Sequence, residues 1–127
     1  MEGQYVFRVK VRLEPADESV SLEPSSAEST VVLFRRAPEP GTDGWRFFRD
    51  SLWRGEVNDQ PYARRLAGEW LEAPVVSVSF RELRADEAYV DALEAAIADD
   101  LEAFNAENVP EVLSKYFGSS IRILDDD

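Results

Sequence analysis

From Trp45 to Asp59 the chain reads Trp-Arg-Phe-Phe-Arg-Asp-Ser-Leu-Trp-Arg-Gly-Glu-Val-Asn-Asp, a run holding two of the three tryptophans and three of the twelve arginines. Five of its side chains can do recognition chemistry: Arg49, Asp50, Trp53, Arg54 and Glu56. A guanidinium is a planar fork that matches a carboxylate or phosphate, and an indole face accepts a cation or a stacked ring. The same run also has a structural use. Leu52 and Trp53 would each contribute about 1.5–3 kcal/mol if they plugged a core. Arg54 would then bridge to Asp50 or Glu56, or cap a helix carbonyl. The two uses can coexist, with Trp53 buried and Arg54 turned outward.

Carboxylates are the other candidate chemistry. Asp50 with Glu56, and Asp99 with Asp100, could in principle move protons or hold Mg²⁺. With 26 acidic residues in 127, however, such pairs arise by chance, so a Mg-dependent carboxylate enzyme is the remote alternative. Histidine and cysteine are both absent, which excludes imidazole acid–base catalysis, thiol nucleophiles, disulfides and ordinary zinc sites. A serine nucleophile would need a lysine base, and neither Lys10 nor Lys115 lies in a recognisable motif. There is no phosphate loop, dinucleotide-binding glycine pattern or EF-hand. The expectation is a non-enzymatic protein with no cofactor.

Charge bounds the rest. Lys plus Arg is 14 against 26 acids, a net charge of −12, and only two of the basic residues are lysine. Self-repulsion of that size destabilises a compact domain unless salt screens it. At molar salt the Debye length falls to about 3 Å and the repulsion nearly vanishes. An acid-rich, lysine-poor, arginine-retaining chain therefore suits concentrated salt, the alternative being an acidic protein that binds basic partners. The surplus is uneven: Val31 to Arg65 carries seven arginines against five acids, while Asp86 to Asp127 carries two basic residues against twelve acids. A locally positive centre sits within an acidic sequence. No stretch approaches the roughly 20 apolar residues needed to span a bilayer, and the start has no signal-peptide pattern, so a cytoplasmic location without membrane contact is expected.

The elements that must position these residues follow from periodicity. Gln4–Leu13 alternates strictly, with Tyr5, Phe7, Val9, Val11 and Leu13 facing one way and Arg8, Lys10 and Arg12 the other, which is a half-buried strand. Residues 14–29 read as a long loop, within which Val20-Ser21-Leu22 could pair briefly. Thr30–Arg36 is a second strand, apolar on both faces, and Ala37–Gly44 is a turn. For Trp45–Gly55 two readings compete. Trp45, Phe48 and Leu52 fit one helical face ending at Gly55. Aromatic density after Asp43-Gly44 instead favours a return strand over Trp45–Arg49, with a turn over Asp50–Gly55, and this is the reading preferred.

Asp59 caps a helix over about Gln60–Leu71 with Tyr62, Leu66 and Trp70 as its buried stripe. Val75–Phe80 is a strand with Val76, Val78 and Phe80 inward and Ser77 and Ser79 outward. A long helix from Asp86 to Phe104 buries Val90, Leu93, Ile97, Leu101 and Phe104. Asn108 opens a short helix that Gly118 ends, and Ser120–Leu124 closes as a strand with Ile121 and Ile123 inward and Arg122 outward. Residues 125–127 are an acidic tail. These elements predict one α+β domain, a mixed or antiparallel sheet of four to five strands with helices packed on one face. The other face should then be partly wet and present Arg8, Lys10, Arg12, Ser77, Ser79 and Arg122.

Leu52-Trp53-Arg54-Gly55-Glu56, with Phe47-Phe48-Arg49-Asp50 before it and Val57-Asn58-Asp59 after it, resembles the LWR-salt proteins, a small family of halophilic archaea named for that tripeptide and habitat. The resemblance extends to Val78-Ser79-Phe80-Arg81-Glu82-Leu83. It implies a high-salt cytoplasmic protein and carries no activity or catalytic residue onto Leu52, Trp53 or Arg54. Two functional expectations remain. The first is an adaptor or regulatory protein that binds another protein or itself through the Arg49–Glu56 region or the open sheet face. The second is a binder of an anionic ligand (nucleotide, acidic metabolite or RNA) through Arg49, Arg54, Arg64 and Arg65. With no RNA-recognition signature on any strand, nucleic acid is the minority option.

Overall fold

The computed structural model describes residues 1–13, 19 and 27–124. In chain order the elements are strands β1 (Gly3–Leu13) and β2 (Ala27–Arg36), helix α1 (Phe47–Ser51), the short strands β3 (Leu52–Trp53) and β4 (Glu56–Val57), and helix α2 (Gln60–Leu71). Strand β5 (Val75–Asp86), helix α3 (Glu87–Ala98), a 3-10 turn at Leu101–Phe104, helix α4 (Val109–Phe117) and strand β6 (Ile121–Leu124) follow. This is an α+β domain on a four-stranded mixed sheet of order β2-β1-β5-β6, with β3 and β4 forming a separate hairpin. β1 runs antiparallel to both its neighbours, and β5 and β6 are parallel.

β1 is central because its alternation supplies one wholly apolar face. Tyr5, Phe7, Val9 and Val11 are buried, in one core with Val78, Phe80, Leu83 and Ala85 of β5 and with residues of all four helices. Arg8, Lys10 and Arg12 are exposed. The loop at residues 14–18 and 20–26, its Val20-Ser21-Leu22 pairing, the facing of Leu13 and the acidic tail at 125–127 lie outside the described residues. β2 begins at Ala27, three residues before the sequence expectation.

β5 is twice as long as the alternating pattern predicts. Its register against β1 slips twice, so that Arg81 and Val76 are each an extra residue on β5. Each slip resets the parity of the strand. Leu83 and Ala85 thereby return to the core behind the charged pair Arg81-Glu82, and the period of two that marks a strand is broken in the sequence.

The preferred strand over Trp45–Arg49 is overturned. The segment turns at Thr42–Arg46 and forms α1 at Phe47–Ser51. Trp45, Phe48 and Leu52 are all buried, a spacing of three then four that a helix can place on one side and a strand cannot. Phe47 packs on Tyr5 of the sheet at 4.9 Å between ring centroids, while Phe48 stacks on Phe104 at 5.5 Å and meets Phe117 at 4.8 Å. Neither does the helix continue to Gly55, because the chain enters the β3–β4 hairpin at Leu52.

Three further expectations change. Asp59 and Asp86 do cap α2 and α3, accepting from the amides of Tyr62 at 3.1 Å and Tyr89 at 2.8 Å. The stripe of α2, however, is Ala63, Ala67, Trp70 and Leu71, with Leu66 half-buried beside it, and Tyr62 stays 48% exposed at its edge. The long helix stops at Ala98, and the chain resumes as a 3-10 turn that delivers Phe104 to the core. Asn108 caps α4 through Glu111 N at 2.9 Å, and Ile123 of β6 is 53% exposed because only Ile121 reaches the core.

Candidate functional site

The arginine–tryptophan run divides between inside and outside at the β3–β4 hairpin. Leu52 is fully buried, whereas its neighbour Trp53 is 45% exposed. Leu52 pairs with Val57 and Trp53 with Glu56, which leaves Arg54-Gly55 as a two-residue loop. Both loop residues have positive φ, +52° and +82°, as a type I′ turn requires and as the twist of a tight hairpin favours. Glycine adopts that conformation freely, but arginine there is strained.

The loop is held by α4. Arg54 N donates to Lys115 O at 2.8 Å and Gly55 N donates to Tyr116 O at 2.8 Å. Gly118 N returns to Ser114 O and Ser120 N to Phe117 O. The last four carbonyls of α4, which a helix end leaves without partners, are all satisfied, half of them by this hairpin. The approach is close: a Cβ on Gly55 would lie 2.9 Å from Phe117 O, and one on Gly118 would lie 3.1 Å from Arg54 O.

Outside this junction the candidate side chains separate. Trp53 packs edge-on to Tyr116 at 6.1 Å, with the Arg54 guanidinium 5.7 Å and the Lys115 ammonium 5.9 Å from its ring centroid. A surface hollow of about 570 Å³ lies here, lined by Trp53, Arg54, Glu111, Ser114, Lys115 and Gly118. Arg49 faces elsewhere, bonded to Asp50 Oδ1 at 3.1 Å and reaching Ala103 O at 3.5 Å. Burial raises the pKa of the nearby Tyr116 hydroxyl, and the Arg49 charge partly offsets this. Arg64 bonds Gln60 O at 3.4 Å, and Arg65 lies over Tyr62 at 5.8 Å. Arg49 and Arg54 line separate hollows, the first with Trp45 and Arg46 and the second with Trp53 and Lys115. Among the carboxylates, Asp100 pairs with Arg46 at 3.3 Å, and no group of three or more acids able to hold a metal occurs among the described residues. An apolar cavity of about 20 Å³ beneath α2, lined by Phe7, Leu66 and Trp70 among others, holds no more than one water.

The second candidate surface is the sheet face opposite the main core. The register sets Arg8 between Val32 and Ser79, and Lys10 between Thr30 and Ser77. Arg12 faces Glu28 across to β2, and Arg122 of β6 stands beside Arg84 of β5. Arg8, Lys10, Thr30, Ser77 and Ser79 line a hollow of about 250 Å³. Lys10 approaches Glu28 at 3.9 Å, and Arg8 and Arg12 make no ion pair among the described residues. At the upper end Val6 is fully buried although its strand position points away from the core. The Arg84 guanidinium, bonded to Glu82 at 3.0 Å, reaches across β1 to lie 5.4 Å from the Phe34 ring centroid and so roofs Val6.

Arg8, Lys10, Arg12, Arg36, Arg84 and Arg122 thus share a face with Glu28 and Glu82, a local positive surplus on a chain of net −12. Sequence reading missed Arg84 because the slip at Arg81 hides its parity, and missed Thr30, Val32 and Phe34 although β2 alternates. Lys115 stands beside Trp53 only because the fold brings α4 to the hairpin.

The family model described as LWR-salt protein matches residues 1–127. The chain belongs to the LWR-salt protein family. No curated protein and no solved structure matches it. In this LWR-salt protein the tripeptide Leu52-Trp53-Arg54 is one core residue, one exposed indole and one strained turn residue whose amide caps a helix. No helix among the described residues is long and apolar enough to cross a membrane.

Proposed function

We propose that this LWR-salt protein is a non-enzymatic interaction protein whose open sheet face receives an acidic segment of a partner protein. The observation that carries the reading is the local reversal of charge: six basic side chains outnumber Glu28 and Glu82 on one face of a strongly acidic chain. Arg8 and Arg12 have no ionic partner among the described residues, and Thr30, Ser77 and Ser79 add hydroxyl groups between them. Side chains of this kind, fixed on rigid strands, suit bidentate guanidinium–carboxylate contacts. The composition further supports work in concentrated salt inside the cell, and the word "salt" in the family's description points the same way. In that solvent diffuse attraction to a phosphate backbone is lost, whereas short, paired hydrogen bonds persist. This favours a protein partner over a nucleic acid.

The test is fluorescence anisotropy with a labelled poly-glutamate peptide and a labelled poly-uridine oligonucleotide of equal length, in about 0.5 M and about 2 M KCl. The peptide should bind, and Arg8→Glu with Arg12→Glu should abolish binding while the circular dichroism spectrum is kept. Preference for the oligonucleotide would replace the acidic-peptide reading. Binding of neither probe would remove the face from consideration.

A further inference from the structure

The two edges of the sheet are treated differently. β6 covers β5 only from Leu83 to Asp86. Below it the side-chain amide of Gln60 closes the strand, donating to Val78 O and accepting from Val78 N at 3.2 Å. The outer edge of β2 pairs with no other strand among the described residues. β2 is ten residues long, free of proline and glycine, and runs against β1 without a bulge. Val32 and Phe34, 42% and 46% exposed, stand along it. Such a long, regular, apolar edge is a template for another strand.

Its sequence says which strand. We propose that two copies of the chain associate by antiparallel pairing of β2 with β2 of the partner, about a two-fold axis at Val32. In that register Glu28 lies opposite the partner's Arg36, Thr30 opposite the partner's Phe34, and Val32 opposite the partner's Val32, all on the open face. On the core side Val31 meets the partner's Leu33. The dyad makes every pairing occur twice except Val32 with Val32, which lies on the axis. A slip of one residue would pair the open face with the core face, and a slip of two would separate Glu28 from Arg36, so charge complementarity selects this axis. Glu28 is available, since its contact with Lys10 is an exposed one at 3.9 Å. The product is a continuous eight-stranded sheet in which the two basic faces lie side by side. The inference rests on the strand edge and stands apart from what those faces bind.

Light scattering after size exclusion, in about 0.5 M and about 2 M KCl, tests it. The wild-type chain should elute at twice its 14.4 kDa mass. Val32→Lys sets two like charges at the axis and should give a monomer with unchanged circular dichroism. Glu28→Arg and Arg36→Glu should each weaken association about tenfold at the lower salt, and the double variant should restore it. A wild-type monomer at the highest soluble concentration overturns the proposal, as does a dimer indifferent to Val32→Lys. If Val32→Lys does not fold, the charge swap decides: failure of the double variant to recover association refutes the register.

Discussion

The amide of Arg54 donates to the carbonyl of Lys115 at 2.8 Å, so the tip of one hairpin closes the end of a helix more than fifty residues further along the chain. This relationship gives the Leu-Trp-Arg-Gly run a structural role in its backbone, separate from any role of the Trp53 and Arg54 side chains. The two roles can be tested apart.

Gly55 and Arg54 should respond oppositely to substitution. Gly55→Ala must hold φ near +82° and bring a Cβ to 2.9 Å from Phe117 O, which cannot move without uncapping α4. A loss of about 2–3 kcal/mol is expected from strain and broken backbone bonds together. Arg54→Asn tolerates positive φ better and keeps the amide, so stability should hold or rise by up to about 1 kcal/mol. Urea titration checks both.

Leu52 and Trp53 are neighbours with opposite surroundings. Leu52→Ala empties a fully buried site and should cost about 2–5 kcal/mol. Trp53→Ala removes a half-exposed ring and should cost much less, about 1 kcal/mol, mainly its contact with Tyr116 and its two cations. Equal losses in thermal or urea unfolding would contradict the division of the tripeptide into core and surface.

Two buried tyrosines set an alkaline limit. Burial pushes the Tyr89 hydroxyl up to about 12 and the Tyr5 hydroxyl higher still, from an ordinary value of 10.0. A phenol whose pKa is raised by folding contributes stability that is complete below pH 10 and is lost as pH climbs from there through the native values. The share of the phenolate absorbance near 295 nm that comes from Tyr5 and Tyr89 should therefore appear together with unfolding, above about pH 10. Tyr89→Phe should weaken this pH dependence. It should also cost about 1 kcal/mol at neutral pH by removing the 2.9 Å bond to Pro38 O.

Salt should control the fold itself. With 26 acids against 14 basic residues, dilution to about 0.1 M lets carboxylates interact across about 10 Å. The far-ultraviolet circular dichroism of the helices should fall on dilution and recover in concentrated KCl. A spectrum unchanged by salt would contradict the screening argument.

What the sequence determined by itself was local. The alternation of β1, the caps at Asp59, Asp86 and Asn108, the stop at Gly118 and the class of the domain depend on residues close together in the chain, where side-chain period and hydrogen-bond reach suffice. The exclusion of thiol and imidazole chemistry needed only composition. What the tertiary structure alone decided was long-range. Phe47–Ser51 turns helical because Phe48 must meet Phe104 and Phe117 while Phe47 meets Tyr5. β5 continues through Arg81-Glu82 because β1 pairs with it on both sides of the extra residue Arg81. The candidate faces were legible one strand at a time. Whether Arg8, Ser79, Arg84 and Arg122 stand together, and whether Trp53 faces water, depends on strand order and on where α4 ends. No periodicity within a single segment encodes those facts.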